Sequence, residues 1–135
     1  MQMPKPQRVA PRIVGAPKIR QYYWCDFPAD AETPEFSKRR PVIIISYRNS
    51  LYGAVTLIPC STKDQTGNPW AFPLETTIDG TAAWAICDKL STLAVSRLLP
   101  NKHGTLRMPE DEFNAMMGIV LRWLPDPFAT KRVKN

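Results

Sequence analysis

Pro41-Val42-Ile43-Ile44-Ile45-Ser46-Tyr47 is the stretch from which the fold can be read. Four consecutive branched aliphatic residues leave no polar face, so the run reads as a strand buried on both sides and opened by Pro41. Upstream, Ile19–Phe27 (IRQYYWCDF) reads as a first, aromatic strand. Its alternation puts Ile19, Gln21, Tyr23, Cys25 and Phe27 on one face and Arg20, Tyr22, Trp24 and Asp26 on the other. The loop between the two strands carries Pro28, Pro34 and a cluster of charges. Downstream, the turn-like Arg48-Asn49-Ser50 leads to a third strand at Tyr52–Pro59.

Beyond the polar loop 61–69 (STKDQTGNP), shorter strands are expected at Trp70–Leu74, Ala82–Ile86, Thr92–Val95 and Gly104–Met108. Many short strands with frequent turn signals point to a small barrel or sandwich. The last element differs. Pro109 suits a first helical position, and Glu110, Asp111 and Glu112 suit the positive end of the helix dipole. Phe113, Met116, Met117, Val120, Leu121 and Leu124 then recur at helical spacing until Pro125. That stripe is expected to pack on the sheet, and Trp84 and Trp123 read as core. The expected architecture is mainly β: a small barrel with a C-terminal α-helix.

A chain of 135 residues suits one domain, and its 44% hydrophobic and 22% charged shares are those of a globular protein. No apolar run approaches the ~20 residues of a membrane-spanning helix, and no signal-like stretch follows the N-terminus. A cytoplasmic protein without membrane partners is therefore expected. The net charge of +6 is unevenly placed: residues 1–20 and 131–135 are purely basic, while the stretch between has a small acidic excess. Residues 1–17, with Pro4, Pro6, Pro11 and Pro17, are expected to form a disordered basic arm, residues 18–128 the domain, and 129–135 a basic tail. Charge at chain ends attracts any polyanion without recognising it, so the high pI alone does not make a nucleic-acid enzyme. Cys25, Cys60 and Cys87 lack the paired spacing of a zinc site, and the chain has a single histidine, His103. Three reduced thiols and no metal or other cofactor are expected.

The order of short motifs carries more. Asp26-Phe27 ends the first strand, Glu35 lies in the loop, and Arg40-Pro41 opens the second strand; Pro59-Cys60-Ser61-Thr62 and Asp88-Lys89-Leu90-Ser91-Thr92-Leu93 follow. This series, from about Ile19 to Leu124, resembles the MazF/PemK toxins of type II toxin–antitoxin systems. The resemblance implies an SH3-like barrel that forms a homodimer, cleaves single-stranded RNA and is silenced by a cognate antitoxin. It assigns the catalytic pair to Arg40 and Ser61, with Thr62 beside it. Some members carry an Arg-Cys-Asp triplet in a later strand; here it reads Ile86-Cys87-Asp88, so Asp88 matches and Ile86 departs.

The chemistry suits those side chains. Attack of a ribose 2′-OH on the adjacent phosphate gathers negative charge on the non-bridging oxygens. A planar guanidinium meets it bidentately, and a hydroxyl donates to one of the same oxygens. Asp88 is a candidate base or a group that orients Arg40. For RNA binding the candidates are Lys38, Arg39 and Glu35 beside the catalytic arginine, with Trp24 and Trp70 as surfaces on which unpaired bases stack. Two other readings use the same barrel: a CcdB-like inhibitor of DNA gyrase, whose Trp-Gly-Ile tail this chain lacks, and a non-catalytic barrel that binds RNA or protein.

Overall fold

Three strands frame the molecule: β1 (Gln21–Asp26), β2 (Arg39–Ile44) and β3 (Ala54–Ser61). The computed structural model describes residues 9–28, 38–76, 80–102 and 104–128. β2 runs antiparallel to both neighbours, pairing Tyr22 with Ile43 and Tyr23 with Val42 on one side, and Val42 with Pro59 and Ile44 with Leu57 on the other. Val42, Ile43 and Ile44 are fully buried, because both faces of this sheet are covered. On one face Tyr22, Ile43, Ile58 and Cys60 pack against Met108, Phe113, Met116 and Val120. On the other, Tyr23, Cys25, Val42, Ile44, Val55 and Leu57 meet Val95 and Leu98. Each fully buried aliphatic side chain of this kind contributes about 1.5–3 kcal/mol.

The short strands are β4 (Ala71–Pro73), β5 (Trp84–Ile86), β6 (Ser91–Ala94), β7 (Leu98–Leu99) and β8 (Leu106–Arg107). The ladder runs β4-β5-β3-β2-β1-β7, with β6 also on β3 and β8 also on β1. The mainly β architecture with a C-terminal helix is the one expected, with one difference: among the described residues no pairing joins β4 to β7, so the barrel stays open. Both terminal strands are short; β4 ends in Pro73 and Pro100 follows β7, and neither proline offers a backbone donor.

The helix α1 (Glu110–Trp123) starts after Pro109, which lies at the cap. Its buried stripe is narrower than expected: Phe113, Met116 and Val120 are covered, while Leu121, Leu124 and Trp123 are exposed. Glu112, in the acidic first turn, is buried. Its carboxylate accepts hydrogen bonds from the backbone N–H groups of Glu75 and Thr76 and from the Thr76 hydroxyl, tying the end of β4 to the helix. Among the described residues no helix is long and apolar enough to cross a membrane.

Of the expected basic arm, residues 1–17, the structure describes residues 9–17. Two side chains tie this segment to the domain while Val9 and Val14 stay exposed: Ile13 is buried in the cluster of Tyr23, Cys25 and Phe27, and Arg12 donates to the Ser96 carbonyl and Asp26. One isoleucine and one arginine supply the apolar and ionic contacts that offset the proline-rich composition. Residues 1–8 and the tail 129–135 lie outside the described residues.

Candidate active site

The β2–β3 register decides which side chains meet. Val42 faces Pro59 and Ile44 faces Leu57. Two residues further along, the alternation places Arg40 and Ser61 on the same face of the sheet and opposite one another. The ladder does not reach them. Pairing with β2 stops at Val42–Pro59, and β3 turns away so that Cys60 and Ser61 pair with Ala85 and Trp84 of β5. Where the strands part, a cleft of about 300 Å³ opens, lined by Trp24, Lys38, Arg39, Arg40, Pro41, Cys60, Ser61, Thr62, Lys63, Thr81 and Ala83. Six of the nine residues singled out from the sequence therefore share one cavity.

Their environments differ. Arg40 is half-buried, and desolvation lowers its pKa from the ordinary arginine value. Ser61 is only 4% exposed. Its Oγ accepts the Lys63 N–H at 3.2 Å, an interaction that uses a lone pair and leaves the hydroxyl proton to be donated into the cleft. Thr62 and Lys38 are exposed. Arg39 donates to Asp26, with Nε 2.7 Å from Oδ1 and Nη2 3.4 Å from Oδ2. Hydrogen bonds from Arg39 hold the Asp26 carboxyl below the usual aspartate range, and Arg12, 3.0 Å away, adds to this. Burial pushes the Cys60 thiol above its ordinary range, so it stays protonated at neutral pH. The described lining residues thus present cations and hydroxyls and include no carboxylate or imidazole. Among the described residues no three His, Cys, Asp or Glu side chains cluster as a metal site would require.

Two expected site residues lie elsewhere. Trp70 does not face the cleft: its ring meets Trp123 of α1 edge-on with centroids 5.1 Å apart. A tryptophan at the end of a polar loop has been captured by the exposed apolar end of the helix. Asp88 sits in the one-turn 3-10 segment Cys87–Lys89, beside α1, with Oδ2 3.6 Å from the Lys89 ammonium. It does not line the cleft, and its buried Oδ1 accepts no hydrogen bond among the described residues. Ile86, at the triplet position held elsewhere by arginine, is buried. Glu35 and His103 lie outside the described residues. Lys63, Thr81 and Ala83 were not anticipated; Lys63 follows Thr62 directly, and the other two come from the approach to β5, which no sequence spacing links to Arg40.

The model of the PemK-like, MazF-like toxin of type II toxin-antitoxin systems matches residues 20–122. The chain belongs to this family. The matched span contains the whole cleft and α1 up to Arg122. No curated protein sequence matches the chain significantly. Among solved structures, MazF from Deinococcus radiodurans is similar with a TM-score of 0.64 at 20% identity, over 78% of this chain and 93% of that one. An endoribonuclease from a mycobacterial species reaches 0.60 at 22% identity, over 83% and 96%. A mycobacterial endoribonuclease solved with its cognate antitoxin reaches 0.60 at 20% identity, over 83% and 100%. At these identities the likeness establishes the shared fold of the toxin family.

Proposed function

We propose that this toxin is a sequence-selective, metal-independent endoribonuclease of single-stranded RNA. The observation that carries the reading is the joint placement of Arg40 and Ser61 in one cleft where β2 and β3 part. A phosphodiester in that gap meets the Arg40 guanidinium and the Ser61 hydroxyl, both of which donate to non-bridging oxygens as charge accumulates on them. The ribose 2′-oxygen bonds to phosphorus as the bond to the 5′-oxygen breaks, leaving a 2′,3′-cyclic phosphate and a 5′-hydroxyl. Water takes the 2′-OH proton and returns one to the departing oxygen, since the described cleft residues hold no ordinary base. Thr62, Lys38 and Lys63 at the rim hold neighbouring phosphates, and Trp24 offers a stacking surface.

The protein acts in the cytoplasm as a homodimer and is silenced by an antitoxin, a partner of the kind solved with one of the mycobacterial structures. Incubation of the purified protein with long single-stranded RNA and a chelator tests the activity. Discrete fragments ending in cyclic phosphate are expected, formed far more slowly with Arg40→Ala. Intact RNA across varied sequences defeats the reading.

A further inference from the structure

Trp24 has two sides in this molecule. In the strand registers it stands between Pro41 of β2 and Leu99 of β7, so the three side chains form one row across the sheet. On the Pro41 side lies the Arg40–Ser61 cleft. Toward Leu99 lies a second depression, of about 470 Å³, lined by Trp24, Arg39, Leu99, Pro100 and Lys102. Trp24 and Arg39 belong to both, and they form the ridge between them. The volume lies in the ~300–1,000 Å³ range of sites for small ligands.

The composition of the second depression is specific. One large aromatic ring, a leucine and a proline make an apolar wall, and the exposed Lys102 supplies positive charge beside the Asp26-paired Arg39. No described carboxylate lines it, and Asp26, the partner of its lining residue Arg39, is also paired with Arg12. A flat apolar wall beside cations is the combination that holds an unpaired base and its phosphate. We infer that this depression is a second nucleotide subsite: the base next to the scissile phosphate stacks on Trp24 between Leu99 and Pro100, and its own phosphate pairs with Lys102. This rests on the reading of the first cleft as an RNA-cleaving site and adds where that substrate continues. Sequence selectivity then arises in part from β7 and the residues after it, a segment distant in sequence from Arg40 and Ser61.

The test uses the full chain and does not depend on cleavage. Binding of a fluorescently labelled, mixed-sequence single-stranded RNA is measured across a salt series for the wild type, Lys102→Ala and Trp24→Leu, with circular dichroism confirming folding. Lys102 is exposed, so its variant keeps the fold even where Trp24→Leu does not. Lys102→Ala is expected to weaken binding several-fold and to lower the slope of log K against log salt by about 0.7, the loss of one phosphate contact on a single strand. Trp24→Leu is expected to weaken binding about tenfold, the loss of one stacked base. A wild-type salt slope in Lys102→Ala overturns the subsite, whether or not the protein cuts RNA. Conversely, the lowered slope in a protein that cleaves nothing supports the subsite while removing the nuclease reading.

Discussion

The Arg40–Ser61 end of the sheet and the Trp70–Asp88 region were expected to be one site, and the structure keeps them apart. Arg40 and Ser61 come from strands whose register continues toward both of them, and the cleft forms because the ladder ends just short. Trp70 and Asp88 come from a loop end and a single 3-10 turn, and both lie on the helix side of the molecule. The comparison shows that strand parity carries a side chain to a predictable place, whereas a loop residue goes to whichever surface is available. An aromatic ring beside the exposed end of α1 finds Trp123 before it finds solvent.

The largest effect that sharpens this contrast belongs to Arg40. Arg40→Ala should lower kcat on single-stranded RNA by about 10²–10³-fold, with folding preserved, since the residue is only half-buried at a strand end. Arg40→Lys should recover little, because an ammonium lacks the planar fork. On the helix side the corresponding loss is one of stability. Glu112→Ala should cost about 2–3 kcal/mol in urea unfolding, because it orphans the N–H groups of Glu75 and Thr76 and the Thr76 hydroxyl. Ser61→Ala comes next, with a roughly tenfold lower kcat and an unchanged midpoint of unfolding, the size expected for one hydrogen bond to a charged oxygen.

Smaller changes probe the helix side more directly. Trp70→Ala should lower stability by about 1–2 kcal/mol through loss of the edge-on pair with Trp123, while RNA affinity stays within twofold. Asp88→Asn should change kcat less than about threefold, as its carboxylate lies outside the cleft. Loss of cutting in Asp88→Asn with intact folding would erase the separation between the two regions.

Much of this was legible in the sequence because it follows from alternation. The apolar run Val42–Ile44 required a strand covered on both faces, and the alternating sets of β1 appear as two distinct clusters. The placement of Arg40 beside Ser61 and Thr62 was legible only through the order of the family's motifs, since nothing local joins residue 40 to residue 61. What could not be read was contact set by tertiary proximity. Glu112 has the sequence context of any acidic first turn, and only the path of the chain after β4 makes it a buried acceptor. Ile13 lies among prolines and basic residues, yet one aliphatic side chain fits against Tyr23, Cys25 and Phe27 and docks its segment. Lys102 and Pro100 carried no signal because their neighbours at the second depression come from β1 and β2.

The smallest predicted effect concerns Asp26, which joins the docked segment to the border of the cleft through Arg12 and Arg39. Its folded-state pKa lies below that of the unfolded chain, chiefly because of the hydrogen bonds from Arg39. The stabilisation it supplies is therefore complete above the ordinary aspartate value of about 3.9 and is lost as pH falls through the depressed folded value. The pair is solvent-exposed and screened by salt, so the loss should be a small shift in melting temperature that fades at high ionic strength. Asp26→Asn should remove that acid-side shift and speed proteolysis near Arg12 at neutral pH, while Ile13 retains part of the docking. If Asp26→Asn leaves both the acid limb of stability and the cutting rate near Arg12 as in the wild type, the apolar contact of Ile13 alone holds the segment, and Arg39 is oriented by something other than its carboxylate partner.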